Sequence, residues 1–172
     1  MTPTKPPKST PRASPRIACY GTAFLADAAL DAKLLIPEVA ADARQFSSPR
    51  LDASFLIDCA RLLTGGLATM ESAPSRYVKR VAGTDFHSPK TTVLYSCSIE
   101  LRELLGALTD ERAAEMATER YGPHRLLKDK PAERNGRTQR HLAILNGLAS
   151  LARHARLGQT TLMLRVEYRK QR

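Results

Sequence analysis

Asp85, His87 and Ser88 lie within four residues of one another, just before Pro89, and are the residue types of a nucleophilic triad or a metal site. A triad is defined by geometry, and an imidazole does not reach productively to both partners across so short a spacing. The stretch therefore reads as a turn with an exposed histidine. His141 and His154 flank the final helical pattern, but thirteen residues separate them, so they do not share the i,i+4 face of a helical metal pair. His154 falls where a last helical turn favours a cation, and His124 lies in a basic, solvated stretch. Glu111, Glu115 and Glu119 recur every fourth residue with Arg112 and Arg120 nearby, the pattern of a solvated helix face. Gly65-Gly66 belongs to neither phosphate-binding glycine motif. Cys19, Cys59 and Cys97 are odd in number and far apart. They read as small buried apolar residues in a reducing cytoplasm, with neither a disulfide framework nor a metal knuckle. No catalytic set, metal or cofactor is expected.

The basic residues are the remaining candidates. The chain carries 27 Lys and Arg against 17 Asp and Glu, a net +10. Residues 1–16 contribute +4, residues 17–120 contribute −3 and residues 121–172 contribute +9, so the excess sits in the first segment and the C-terminal third. Such asymmetry attracts anionic partners in a salt-sensitive way. Arg76, Lys79 and Arg80 surround Tyr77, which is either part of a cationic, aromatic-bearing patch or simply core. Arg125, Lys128, Lys130, Arg134, Arg137 and Arg140 form a second group. These nine are the candidate residues for contact with an anionic partner.

The elements that must position them follow from pattern. Residues 1–16 hold five of the eleven prolines and read as a disordered basic arm, leaving residues 17–172 as a single globular domain. No run of about 18 apolar residues occurs, so no membrane helix or membrane partner is expected. Ile17 to Phe24 reads as a strand, Ala26 to Leu35 and Glu38 to Phe46 as helices, and Leu51 to Leu63 as a buried helix stopped by Gly65-Gly66. Pro74 to Val81 reads as a short helix capped by Ser72, and Thr91 to Tyr95 as a strand. Ile99 to Leu108 and Asp110 to Arg120 read as helices after Ser98 and Thr109. Gly122 to Arg140, with Pro131, Gly136 and no apolar period, reads as a long basic loop. From Thr138 to Leu157 the residues Ile144, Leu148, Leu151 and Ala155 form one stripe of a helix ending at Gly158. Leu162, Leu164, Val166 and Tyr168 alternate with polar neighbours as a strand with one buried face. The expected fold class is α+β: a small, mainly antiparallel sheet of about three strands covered by several helices.

The order of these landmarks carries a resemblance. An Ile-Ala-Cys-Tyr-Gly strand leads to a helix; Leu51-Asp52 opens a segment ending in Leu63-Thr64-Gly65; Ala73-Pro74-Ser75-Arg76 enters a stretch reaching Val81-Ala82-Gly83. Val93-Leu94-Tyr95-Ser96 precedes a Glu100-Leu101 helix, and a long helix, Gly158 and an alternating strand finish the chain. Across residues 17–168 this resembles the YfbM-like family of small bacterial proteins, a domain of unknown function. The resemblance implies a fold and a bacterial cytoplasmic setting but no activity and no catalytic residue. Family members usually place Trp and His in the helix before Leu-Thr-Gly, whereas this chain has no Trp and runs Phe55-Leu56-Ile57-Asp58-Cys59-Ala60-Arg61-Leu62 there.

The functional expectation is a non-enzymatic macromolecule-binding protein, of inhibitor or immunity type, docking on an acidic protein partner. The alternative is nucleic-acid binding through the arm and the C-terminal third, although no RNP-like motif, zinc finger or helix-turn-helix is present.

Overall fold

A computed structural model describes residues 17–27, 44–65, 76–83, 90–120, 131–157 and 160–170. Among the described residues there are five strands, β1 (Ile17–Asp27), β2 (Gln45–Pro49), β3 (Val78–Gly83), β4 (Lys90–Cys97) and β5 (Thr160–Lys170), and four helices, α1 (Ala53–Leu63), α2 (Ile99–Gly106), α3 (Asp110–Arg120) and α4 (Pro131–Leu157). The strands form one sheet in the order β2-β1-β5-β4-β3, and every neighbouring pair is antiparallel. The class is α+β. The sheet has five strands rather than about three, because two strands lack the local signals of one.

Register explains the layers. Leu164 of β5 stands between Ala23 of β1 and Tyr95 of β4, and side chains alternate between faces along each strand. On that face Ala23, Leu162, Leu164, Val166 and Cys97 join the main core, with Phe55, Leu56 and Cys59 of α1, Leu101 and Leu105 of α2, Met116 of α3, and Ile144, Leu145 and Leu148 of α4. Each fully buried Leu or Phe contributes roughly 1.5–3 kcal/mol of transfer free energy. One register step away, Phe24 faces Met163, and these two with Leu94 and Ala26 form a second buried cluster on the opposite face. β5 is therefore apolar on both faces at Leu162–Leu164, where one buried face was expected.

Local capping sets the helix starts. Asp52 accepts hydrogen bonds from the Phe55 amide (2.8 Å) and the Ser54 hydroxyl (2.9 Å) at α1, Ser98 accepts from the Leu101 amide (3.1 Å) at α2, and Thr109 from the Arg112 amide (3.2 Å) at α3. The stripe Ile144, Leu148, Leu151 and Ala155 is buried as expected.

Four readings are corrected. Ala26 and Asp27 end β1 instead of opening a helix, and Gln45–Pro49 is a strand where a helix was expected to reach Phe46. Val78–Gly83 is a strand paired with β4, not a helix to Val81. Residues 131–140 are the first turns of α4 and not loop: proline is well suited to a first helical position, where its missing N–H has no intrahelical partner. The residue 1–16 arm, most of the helices expected over 26–46, Ser72 and Gly158 lie outside the described residues.

Candidate anion-binding site

The site begins with two glycines that let backbone and ring approach closely. A Cβ on Gly21 would strike the Leu51 carbonyl oxygen, and one on Gly147 would stand 2.5 Å from the Phe46 ring. Gly21 thus lets the chain after β2 cross directly over β1, and Gly147 lets β2 lie on α4. The Arg50 amide donates to the Cys19 carbonyl oxygen (3.1 Å), Leu51 is fully buried, and Asp52 caps α1. The turn between β2 and α1 is held on three sides. Within it Arg50 has φ +65°, a left-handed conformation costing a non-glycine residue about 1–2 kcal/mol.

Opposite the turn lies the first half of α4. Arg137, Arg140, His141 and Ile144, spaced as residues of one helix face, complete a cavity of about 490 Å³ with Pro49, Arg50 and Phe55. His141 is buried (2% exposed), with its ring centroid 4.7 Å from that of Phe55. The Asp52 cap sets the Phe55 backbone, so a helix start also helps to build the cavity wall. The described lining thus combines apolar Pro49, Phe55 and Ile144 with His141 and three arginines. None of the seven described lining residues is acidic. Among the described residues, no carboxylate pairs with Arg50 or Arg140.

Several other cations have partners in the structure. Arg76 makes a bidentate contact with Glu100 (2.8 and 2.6 Å) and lies 5.6 Å from the Tyr77 ring centroid. Arg112 meets Glu115 at 2.7 Å and Glu119 at 3.5 Å. Glu167 gathers Arg165, Lys90 and Arg169 at 2.7, 3.1 and 3.3 Å. Burial acts to raise the Glu167 carboxyl, but these three cations outweigh it and hold the group below its ordinary value. Arg153 donates to the Gly106 and Leu108 carbonyl oxygens (3.3 and 2.5 Å), at the end of α2 where a cation complements the helix dipole. A second cavity of about 450 Å³ shares Pro49 with the first and is lined by Ala18, Cys19, Tyr20, Glu167 and Arg169, so its charge is mixed. Burial, then Asp52, raises the Cys19 thiol above its ordinary value. Burial alone pushes Cys97 up to about 12, leaving it in the thiol form at neutral pH.

Of the nine predicted contact residues, Arg137 and Arg140 are brought together in the cavity. Arg76, Lys79 and Arg80 lie at or beside β3, on the sheet edge opposite β2, and Tyr77 is core (2% exposed). Arg134 lies on α4, its side chain outside the described residues, as are Arg125, Lys128 and Lys130. Asp85, His87, Ser88 and His124 also lie outside them. His141 is inside α4 and not at its edge, and the His154 Nδ1 lies 2.8 Å from the Ser150 carbonyl oxygen. Arg50 was missed. Left-handed positions usually carry Gly or Asn, so nothing local marks it. Comparison with family models, curated proteins and solved structures finds no match. The assignment therefore rests on the cavity's own chemistry.

Proposed function

We propose that the protein is a non-enzymatic binding protein of inhibitor or immunity type that docks on an acidic protein partner, with the cavity between the β2–α1 turn and α4 receiving the partner's anionic groups. The observation that carries this reading is that Arg50, Arg137 and Arg140 line one concavity with no acid among its described lining residues. Guanidiniums remain charged at every physiological pH and offer donors in a fixed fork. They recognise and orient anions without exchanging protons, which suits binding better than catalysis. A concave, localised site also suits one anchoring group better than a duplex backbone, which calls for a longer cationic stripe. Attraction of this kind speeds encounter and sharpens selectivity.

The test is affinity capture from the native host with wild-type protein and with an Arg137→Ala/Arg140→Ala variant, in the presence of nuclease and at two salt concentrations. An acidic protein retained by the wild type, lost by the variant and weakened by salt is the expected result. Capture that depends on intact nucleic acid would move the assignment to nucleic-acid binding, and equal retention by both proteins would remove the cavity from it.

A further inference from the structure

Resting on that reading, we propose that the acidic partner docks by strand addition: an extended segment of it pairs with the outer edge of β2 and sets carboxylates at Arg44 and Arg50. Among the described residues β2 is the outer strand at its end of the sheet, and Gln45, Ser47 and Pro49 are exposed along it. Two hydrogen bonds fix where its main-chain groups point. The Leu25 amide donates to the Arg44 carbonyl oxygen and the Arg50 amide to the Cys19 carbonyl oxygen, each at 3.1 Å. In an antiparallel ladder, successive residues alternate between facing the neighbouring strand and facing away from it. The register from Tyr20↔Pro49 to Phe24↔Gln45 is unbroken, so Phe46 and Ser48 face β1 while Gln45, Ser47 and Pro49 face outward. Gln45 and Ser47 each offer an amide and a carbonyl at the edge. Pro49 has no amide to offer, which ends the open ladder before the turn.

Charge selects the occupant. The chain from Arg44 to Arg50 contains no acid, both arginines are exposed, and among the described residues neither meets a carboxylate. Six steps of extended chain span roughly 20 Å, so a strand of about seven residues with an acid at each end matches both. Arg50 also lines the cavity, which brings that end of the added strand to the site already described. A second copy of this chain is the poorer occupant, because like molecules with a net charge of +10 repel one another. The opposite edge is built differently. β3 carries Lys79 and Arg80 within the strand and a register shift after them, devices that discourage pairing, whereas β2 holds no charged residue from Gln45 to Pro49. In strand addition the main-chain bonds supply affinity and the alternating side chains supply selectivity.

The test titrates a defined probe, acetyl-Glu-Thr-Val-Thr-Val-Thr-Glu-amide, into the isotopically labelled full chain at low salt, read by amide NMR. One companion peptide ends in glutamine instead of glutamate. Two more are N-methylated, at the valines or at the threonines, since an added strand points only one of those sets at β2. The acidic peptide is expected to bind at least fivefold more tightly than the glutamine form, with the largest shifts at the Gln45 and Ser47 amides. One N-methylated peptide should lose binding and the other keep it. Ser47→Pro removes an outward amide without taking a bond from the β1 ladder and should abolish binding, while Arg44→Gln and Arg50→Gly each weaken it. Thr22→Val removes the same hydroxyl contact with Ser47 (2.9 Å) that Ser47→Pro removes, and should bind as wild type does. If Ser47→Pro lowers the unfolding midpoint, the N-methylated pair decides alone. No binding at millimolar peptide, equal binding of both N-methylated forms, or binding that survives in a folded Ser47→Pro variant overturns the proposal. So does a dimer of the chain that Ser47→Pro abolishes, which would give the edge to a second copy. If capture of the acidic partner still depends on Arg137 and Arg140 in that event, docking stands and only strand addition falls. If capture also ignores those residues, both fall.

Discussion

The two edges of the sheet carry similar numbers of cations and use them differently. At the β3 edge, Lys79 and Arg80 are exposed on a short strand whose register shifts between Arg80 and Ala82, and Arg76 is held by Glu100. Charged side chains and a bulge are how an edge strand avoids pairing with another chain, and that accounts for this group without a ligand. At the β2 edge, the following turn and α4 enclose a cavity lined by Arg50, Arg137 and Arg140, with no acid among its described lining residues. Cation count alone does not distinguish these regions. Concavity and the placement of carboxylates do.

The comparison can be broken most severely at Gly21. Gly21→Ala drives a Cβ into the Leu51 backbone, which cannot yield as a side-chain end can, and the expected loss is about 3 kcal/mol or more, read by denaturant unfolding. Gly147→Ala meets the Phe46 ring instead. A ring can move, so the expected cost is about 2 kcal/mol, with capture of the acidic partner falling as β2 shifts on α4. Neither change should disturb the β3 edge, whose amide exchange ought to stay at wild-type rates. Were both edges to loosen together, their separation as independent regions would fail.

The Glu167 cluster sharpens the contrast through pH. Its folded carboxyl lies below the ordinary value of 4.5, so the stability it contributes is fully present above that value and is lost as pH falls toward the lowered one. Relative to Glu167→Gln, the wild type should lose stability progressively below about pH 4.5 in a urea titration series, and a constant difference would contradict the pairing. Arg50→Gly is expected to change stability by only about 0.5 kcal/mol, in the favourable direction, since relief of the left-handed backbone is partly offset by the greater freedom of unfolded glycine. Its effect belongs to binding. Smallest of all is Arg76→Ala: this exposed ion pair should leave both the unfolding midpoint and capture of the acidic partner at wild-type values, and a loss of capture would join the two edges into one site.

Where local pattern carried the information, the sequence was legible. The Ile144–Ala155 stripe, the Leu162–Val166 alternation and the Ser98 and Thr109 caps all have physical causes within a few residues of themselves. Val78–Gly83 and Gln45–Pro49 do not: Lys, Arg, Gln, Ser and Pro carry little strand preference, and each segment is a strand because β4 or β1 supplies hydrogen-bond partners. The first turns of α4 were obscured because Pro131 and Gly136 resemble loop punctuation, and His141 is the first buried residue among the described side chains of that helix.

By itself the amino-acid order determined the α+β class, the antiparallel character of the sheet, the long C-terminal helix and the cationic excess that includes Arg137 and Arg140, because periodicity, capping and charge are properties of neighbouring residues. Tertiary structure alone decided that Arg50 joins them, that Arg76 is spent on Glu100, and that Tyr77 is core. Those outcomes depend on which strand crosses which, and a glycine's missing Cβ decides that only when another segment arrives to occupy the space.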